Sequence, residues 1–250
     1  MDLYVLNEME YTEDISRLQK GEMMNPWSVF PEDDMPNKVI GLCGTAGSGK
    51  TTFALICQRK YGAKIASMAE PIRRIADFMM MPSDVEGVQN PSGWMATRNF
   101  IDDLFPSNSK EDRNKIMADI TALFHECHPK TGEKNRTFLQ KIGTDIGRKR
   151  DPNVWVNWRK THMPGGLVVV DDVRFPDEMQ MILDLGGKMY RVVRPELDRL
   201  QYLIEKQGSI TKEQLNHPSE TSLKDVQMRT VFANNLAELE DGVESIMEGG

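Results

Sequence analysis

The chain has 250 residues, of which 39% are hydrophobic and 28% charged, with a formal net charge of −7. This composition is ordinary for a globular protein with one main domain, and no apolar run reaches the roughly 18 residues of a membrane span. The acidic balance disfavours nonspecific nucleic-acid binding, but leaves room for a local basic pocket that holds a small phosphate. Three cysteines at no recurring spacing, and an acidic start without an apolar block, favour the cytoplasm over export.

Residues 1–36 differ in character from the rest of the chain. They are polar and acidic and contain three prolines ahead of the first apolar run. We therefore predict an N-terminal extension, followed by a main domain over residues 37–250. Within that domain the polar region 82–134 has several helical stretches, which predict an inserted helical lobe. Ser109 with acidic residues directly after it is typical of a helix start in this lobe.

The main domain alternates short apolar runs with longer amphipathic stretches. The pattern predicts strands at 38–43, 64–67, 167–172, 188–193 and 229–233. It predicts helices outside the lobe at 50–60, 71–81, 135–149, 151–162, 176–185, 196–207 and 236–247. Strands that alternate with helices indicate an α/β fold, a three-layer sandwich around a mostly parallel five-stranded sheet.

The segment Gly44–Thr52 reads GTAGSGKTT and directly follows the first predicted strand. Its spacing matches the phosphate-binding loop, in which backbone N–H groups and a helix N-terminus surround phosphate oxygens. In this loop Lys50 would reach the β and γ phosphates, and the Thr51 hydroxyl would ligate Mg²⁺. The candidate nucleotide-binding residues are Gly44, Ala46, Gly47, Ser48, Gly49, Lys50, Thr51 and Thr52. The loop predicts ATP or GTP with Mg²⁺, and its alternative is a coincidental glycine turn.

The run LVVVDDVRFPDE places carboxylates at the end of a predicted buried strand, where open α/β sheets bind ligands. Asp171 or Asp172 could hold Mg²⁺, directly or through water, and the alternative is a capping pair at a strand-to-helix turn. Arg174 can present a planar fork to a phosphate. Its alternative is a structural salt bridge to Glu178, one helical turn further on.

Other charged and metal-ligating residues give weaker indications. Lys141, Asp145 and Arg148 follow i, i+4 and i+7 on one face of the helix predicted at 135–149, and that face could meet a ligand. Further basic residues lie at Arg73, Arg74, Lys149, Arg150, Arg191 and Arg194. Each alone is expected to be a solvated surface charge. The segment 125–128, His-Glu-Cys-His, lacks a second ligand pair at a supporting distance, so zinc is disfavoured.

Six short segments occur along the chain in a characteristic order. They are GTAGSGKTT, Ala69–Arg73, Leu139–Asp145 followed by Arg148 and Trp155, Asp172–Arg174 with Glu178, Val192–Pro195, and His217–Glu220 with Asn234. In this order they resemble the bacteriophage-type deoxynucleoside monophosphate kinases, including those of T-even phages. The resemblance covers about residues 38–248. Two departures are that the T-even enzyme has an acidic residue at the position of Thr51 and a proline at that of Asp171.

The resemblance implies transfer of the ATP γ-phosphate, with Mg²⁺, to a deoxynucleoside monophosphate for phage DNA precursor supply in the cytoplasm of the infected cell. It also implies a lid over about 194–225 that closes over ATP. The extension 1–36 and much of the lobe at about 82–134 do not match the family, and because we expect this lobe to bind the nucleoside monophosphate, the choice of acceptor stays open. Carried over onto this sequence, the catalytic candidates are Lys50, Arg148, Asp172 and Arg174, and the metal candidates are Thr51 and Asp172. The acceptor candidates are Arg73, Asp145, Arg148, Arg174 and Glu178.

Two other functions remain open at this point. In one, the loop binds ATP in a nucleotide-dependent switch or assembly protein, which would hydrolyse ATP slowly and without regard to any monophosphate. In the other, the acceptor is a modified base or an end in DNA, which the acidic net charge disfavours. The sequence leaves open the preferred base, the preferred sugar and the oligomeric state, with a homodimer among the options.

Overall fold

The computed structural model of the protein describes residues 38–81, 90–127, 129, 135–207 and 211–249. The predicted extension 1–36 lies outside the described residues, as do 82–89 and most of 128–134 in the predicted lobe. None of the helices in the described ranges is long and apolar enough to cross a membrane.

The fold is built on a parallel five-stranded sheet, as the sequence predicts. Its strands are β1 (Lys38–Cys43), β2 (Lys64–Ala66), β3 (Leu167–Val170), β4 (Lys188–Val193) and β5 (Arg229–Phe232). Their order across the sheet is β2-β3-β1-β4-β5, and every neighbouring pair is parallel. The apolar run of β3 is buried on both faces, which is typical of a central parallel strand.

Eleven α-helices occur in the described ranges. They are α1 (Lys50–Tyr61), α2 (Glu70–Met79), α3 (Pro91–Leu104), α4 (Lys110–Cys127), α5 (Arg136–Gln140), α6 (Val154–Thr161), α7 (Pro176–Asp184), α8 (Glu196–Gln207), α9 (Lys212–Asn216), α10 (Pro218–Thr221) and α11 (Leu236–Glu248). Helix α5 continues into a π-helix over Lys141–Arg148, which we call π1.

Successive side chains of a strand point to opposite faces of the sheet, and two apolar clusters follow from that alternation. Val39 and Cys43 of β1 belong to the first cluster, which they share with α2 to α7 and π1. Ile40 and Leu42 belong to the second cluster, which they share with α1 and α11. Helices therefore cover both faces, and the predicted three-layer α/β sandwich is confirmed.

The chain leaves the carboxyl ends of β1 and β3 toward opposite faces of the sheet. The segment after β1 leads to α1 in the second cluster, whereas the segment after β3 leads to α7 in the first cluster. Because β1 and β3 are neighbours, a crevice opens between their carboxyl ends, which is where open α/β sheets bind ligands. The loop at Gly44 and the acidic residues after Val170 both border this crevice.

Two helix starts show how side chains set element boundaries. The Ser109 hydroxyl accepts the N–H of Asp112 at 3.0 Å, so Ser109 caps α4 as predicted. Helix α6 begins at Val154 rather than at Asp151, because the Asp151 carboxylate accepts the N–H of Asn153 at 2.8 Å and forms a turn first.

The described part of the predicted lobe consists of α3 and α4. Their apolar side chains, among them Phe100, Ile101, Ile116 and Ile120, join the first cluster together with α2 and π1. This part of the chain therefore packs into the same core as the sheet.

Candidate functional site

The segment Gly44–Thr51 forms a tight loop between β1 and α1. Gly44, Gly47 and Gly49 all have positive φ, a conformation that suits glycine and strains residues with a Cβ atom. A Cβ atom on Gly44 would lie 2.4 Å from the Val192 carbonyl oxygen of β4. The glycine spacing of the sequence motif is therefore required by backbone geometry and by close packing at this edge of the sheet.

Lys50 lies inside the loop that it follows. Its ammonium donates to the carbonyl oxygens of Gly44 at 2.7 Å and Thr45 at 2.9 Å. Burial, and next the nearby charge of Arg174, lower the pKa of Lys50 to about 8. The lysine thus places a positive charge at the centre of the loop.

The Thr51 hydroxyl donates to Oδ2 of Asp171 at 3.2 Å. Oδ1 of Asp171 is buried and has no hydrogen-bond partner among the described residues. Burial, and then the neighbouring charge of Asp172, raise the pKa of Asp171. A hydroxyl beside an unpartnered carboxylate oxygen suits Mg²⁺, which takes one or two carboxylates and completes its shell with phosphate and water oxygens. The described residues contain no cluster of three or more His, Cys, Asp or Glu side chains that could hold a metal by themselves.

Asp172 is turned toward a different neighbour. Its carboxylate accepts the hydroxyl of Ser67 at 2.5 Å and the N–H groups of Met68 and Ala69 at 2.6 and 3.1 Å. Burial alone would raise the pKa of Asp172, but Arg73 and these donors hold it below the usual value. The structure thus pairs Thr51 with Asp171 and uses Asp172 to anchor the loop before α2. The predicted metal pair of Thr51 and Asp172 stays a prediction, and of the two aspartates left open by the sequence Asp171 is the one that contacts Thr51.

A cavity lies beside the phosphate-binding loop, among α2, π1 and the residues that follow β3. Its basic lining consists of Arg73, Arg136, Arg148 and Arg174, and its apolar lining includes Ile72, Leu139, Trp155 and Phe175. Arg73 also lines an adjoining groove that contains Thr51 and Asp171. Four of the predicted acceptor residues, Arg73, Arg148, Arg174 and Glu178, are brought together in this cavity.

Arg174 does not form the alternative salt bridge to Glu178. Its guanidinium donates to Oε1 of Glu220 at 2.6 Å and to the Ser219 carbonyl at 2.8 Å. Glu178 instead accepts the backbone N–H groups of Arg174 and Phe175, at 2.7 and 3.2 Å, and so caps the start of α7. The arginine fork is therefore directed toward the predicted lid region.

Arg148 is held at the cavity wall by two carboxylates. It donates to Asp177 at 2.8 Å and to Glu178 at 2.6 Å, and its guanidinium lies over the ring of Phe175 at 3.9 Å. Burial raises the pKa of Glu178 to about 7, against the opposing effects of Arg148 and of the N–H of Arg174. Arg148 and Glu178 thus form a buried polar pair, the cavity floor, next to the rings of Trp155 and Phe175, which form the aromatic wall of the cavity.

The predicted stripe of Lys141, Asp145 and Arg148 is broken. Arg148 lines the cavity, but Asp145 is exposed and is absent from the cavity lining, and Lys141 pairs with Glu126 at 2.7 Å. The cause is π1, because a π-helix has i→i+5 hydrogen bonds, so residues at α-helical spacing no longer share one face. Asp145 as an acceptor residue stays a prediction with no place in this cavity.

Close packing against π1 positions the aromatic wall. A Cβ atom on Gly147 would lie 2.2 Å from the Trp155 ring, so only glycine allows this approach. The Trp155 indole N–H also donates to the Gly143 carbonyl at 2.8 Å.

Arg136 and Glu220 belong to this site, although the sequence predicted no role for either. Arg136 lines the cavity with its side chain 8% exposed, and it donates to Oε1 of Glu220 at 3.2 Å. The signal for Arg136 was its place three residues before the segment Leu139–Asp145. Glu220 lies within the last segment of the family resemblance, but a carboxylate is not expected among groups that bind phosphate. The cavity lining includes no residue of 90–127, so the described part of the lobe does not contribute to this cavity.

The zinc candidate at 125–128 falls partly outside the described residues, since His128 is not described. His125 lies against the ring of Phe124 near the end of α4. It has no role in the cavity or in the loop.

The crevice thus contains a glycine loop, a carboxylate beside Thr51 and an arginine-lined cavity. These features define an α/β protein with a phosphate-binding loop of the nucleotide-binding type. No family model matches the sequence. The chain is 26% identical over 220 residues to a protein of Acanthamoeba polyphaga mimivirus described as "Putative deoxynucleotide monophosphate kinase". That match covers 81% of this chain and 91% of the mimivirus protein.

Solved structures with a related arrangement include TT1252 from Thermus thermophilus, with a TM-score of 0.46, 15% identity and coverage of 86% of this chain and 97% of the other. A sugar kinase from Janibacter sp. has a TM-score of 0.39 with 10% identity, and covers 84% of this chain and 94% of its own. Dephospho-CoA kinase from Campylobacter jejuni has a TM-score of 0.34 with 15% identity, and the match covers 86% of this chain and 97% of that kinase.

Proposed function

We propose that the protein is a deoxynucleoside monophosphate kinase that transfers the γ-phosphate of Mg·ATP to the 5′-phosphate of its acceptor. The observation that carries this proposal is that one carboxylate reaches both halves of the site. Glu220 accepts the N–H of Ala46 in the phosphate-binding loop at 2.8 Å, and Arg174 and Arg136 of the cavity at 2.6 and 3.2 Å. A phosphate held by the loop and a phosphate held by the cavity would therefore be neighbours.

The loop side would hold the donor. Backbone N–H groups of Gly44–Thr51 and the start of α1 would surround the β and γ phosphates of ATP, and the Lys50 ammonium would add a positive charge beside them. Thr51 and Asp171 would hold Mg²⁺, which when bound neutralises charge on those phosphates. Arg73 lies between this metal position and the cavity and would contact both phosphate groups.

The cavity side would hold the acceptor. Its four arginines offer charge and planar forks to a phosphate, while Ile72, Leu139, Trp155 and Phe175 offer apolar and aromatic surface to a base. A phosphate is already a nucleophile at neutral pH, so the protein would need to position it rather than deprotonate it. Arg174, at the junction of the two halves, would stabilise the charge on the transferring phosphoryl group.

The mimivirus relative supports the same reaction, since its description names a deoxynucleotide monophosphate as the acceptor. We infer from this similarity and from the cavity that the acceptor is a small nucleotide, and that supply of DNA precursors in an infected cell is the biological role.

The test is ADP production from Mg·ATP with each deoxynucleoside and ribonucleoside monophosphate in turn, against a control without acceptor. We expect strong stimulation by one or a few deoxynucleoside monophosphates and loss of that stimulation on chelation of Mg²⁺.

Slow ADP release that no monophosphate accelerates would contradict the proposal and favour the nucleotide-dependent switch. ADP release that only DNA ends or modified DNA accelerate would move the acceptor to nucleic acid.

A further inference from the structure

Glu220 is a carboxylate held by groups that suit a phosphate. Its side chain is 3% exposed. One oxygen accepts the Ala46 N–H of the phosphate-binding loop, and the other accepts Arg174 and Arg136. Loop N–H groups and guanidinium forks are the donors that proteins use for phosphate oxygens.

The segment that carries Glu220 otherwise lies on the surface. Helices α9 and α10, at 212–216 and 218–221, contain no residue that is buried as a whole, although the side chain of Glu220 is buried. Two hydrogen bonds at Gln214 join this segment to the neighbouring helix α5, one of them to the hydroxyl of Thr137 at 3.1 Å. The Ser219 carbonyl accepts the Arg174 guanidinium at 2.8 Å. Among the residues that the structure describes, the ion pairs of the segment are all made by Glu220, whose carboxylate also accepts the N–H of Ala46, 174 residues away in sequence.

The charge of Glu220 matches this position. Burial alone would raise the pKa of Glu220, but Arg174, Lys50 and the Ala46 N–H hold it below its usual value. The side chain is therefore an anion near neutral pH, surrounded by the cations of both halves of the site.

We propose that Glu220 is a built-in competitor of the nucleotide phosphates, so that a phosphate bound at the loop displaces its carboxylate and releases the segment 211–222. The Ala46 N–H is a single donor, so a phosphate oxygen that accepts it must replace the Glu220 carboxylate, and the two negative charges would repel each other at this distance. Phosphate binding at Ala46 and the contact of Glu220 with the loop therefore exclude each other.

This competition gives the predicted lid region a physical trigger. By linkage, the attached segment lowers the affinity for phosphate by the same factor by which bound phosphate weakens the attachment of the segment. The inference concerns phosphate binding alone, and it would hold whether the protein is a kinase or a switch.

The test is the affinity of inorganic tripolyphosphate, measured by titration calorimetry, for the full chain and for Glu220→Gln. Removing the competitor should tighten tripolyphosphate binding by roughly tenfold, within the usual range of coupling between sites. Adenosine, which carries no phosphate, should bind both proteins equally. This assay needs no phosphoryl transfer, so it is independent of the kinase proposal.

Two matched variants separate competition from a general change of charge. Glu213→Gln removes one exposed carboxylate from the same segment, and Glu240→Gln removes one carboxylate that pairs with Arg59, outside the cavity lining. Both should bind tripolyphosphate within about twofold of the unchanged protein. Equal tightening in all three variants would overturn the proposal, as would unchanged or weaker binding in Glu220→Gln.

Hydrogen–deuterium exchange tests the displacement itself. Tripolyphosphate should raise deuterium uptake in residues 211–222 of the unchanged protein, because it lacks a nucleoside around which the segment could close. In Glu220→Gln and Glu220→Ala the uptake should be high at the outset. Saturation with tripolyphosphate without any change of uptake in the unchanged protein would show that the carboxylate stays in place.

Discussion

The phosphate-binding loop and the arginine-lined cavity are assembled in opposite ways. The loop is one continuous run, Gly44–Thr52, whose function depends on its own backbone and on a single strand and helix. The cavity draws its arginines from α2, α5, π1 and the residues after β3, which are far apart in sequence. A contiguous motif can therefore be recognised in the sequence, and single substitutions in it should cause large losses of activity. In a cavity assembled from several elements, each substitution should cause a smaller loss.

The largest loss is expected on the loop side. Lys50→Ala removes the buried ammonium at the centre of the loop and should lower kcat by roughly 100- to 1,000-fold. Steady-state kinetics with the acceptor found in the monophosphate panel would measure this change. Lys60→Ala, at an exposed ion pair on the same helix, is the matched control and should keep its rate. Full activity in Lys50→Ala would remove the loop from the mechanism.

Arg174 should be the most sensitive residue of the cavity side. Arg174→Ala should lower kcat by about 100-fold, because its fork is expected at the transferring phosphoryl group. Affinity for Mg·ATP should change much less. Arg174→Lys should recover only part of the rate, since a point charge does not replace a planar fork. A loss confined to ATP affinity would refute the assigned role.

Substitutions of the two adjacent aspartates should have different effects, one on metal dependence and one on stability. Asp171→Asn should raise the Mg²⁺ concentration needed for half-maximal activity by about tenfold, since it weakens the carboxylate beside Thr51. Asp172→Asn should instead lower the free energy of unfolding by about 1–3 kcal/mol, because an amide nitrogen would face the N–H groups of Met68 and Ala69. Metal titrations and urea unfolding measure the two effects. An exchange of the two phenotypes would restore Asp172 as the metal residue.

Glu178 at the cavity floor should make the stability of the protein depend on pH. Because the pKa of Glu178 is raised to about 7 in the folded protein, its contribution to stability is fully present below its unfolded value of 4.5 and is lost as the pH rises toward 7. Between these pH values the unchanged protein should lose up to about 3 kcal/mol of unfolding free energy relative to Glu178→Gln.

Urea unfolding of both proteins at several pH values checks this slope. A difference between the two proteins that stays constant from pH 4.5 to 7 would show that Arg148 keeps Glu178 ionised throughout, and that the floor is a simple salt bridge.

The sheet, the loop and the order of the elements could be predicted from the amino-acid pattern alone. Alternating apolar runs fix which strands are buried, and the spacing of Gly44, Gly49, Lys50 and Thr51 needs only local backbone geometry. These features follow from periods and spacings along a short stretch of chain, so they can be predicted without the fold.

Which charged residues share a site depends on how the helices and strands pack in three dimensions. The π-helix separates Lys141 and Asp145 from Arg148, and hydrogen bonds to the loop before α2 give Asp172 a different task from Asp171. Arg136 and Glu220 meet across 84 residues of sequence because two helices pack at one crevice. Such contacts depend on how whole helices and strands pack and on the π-helical winding of one segment. Neither can be predicted from the periodicity of a short stretch of sequence.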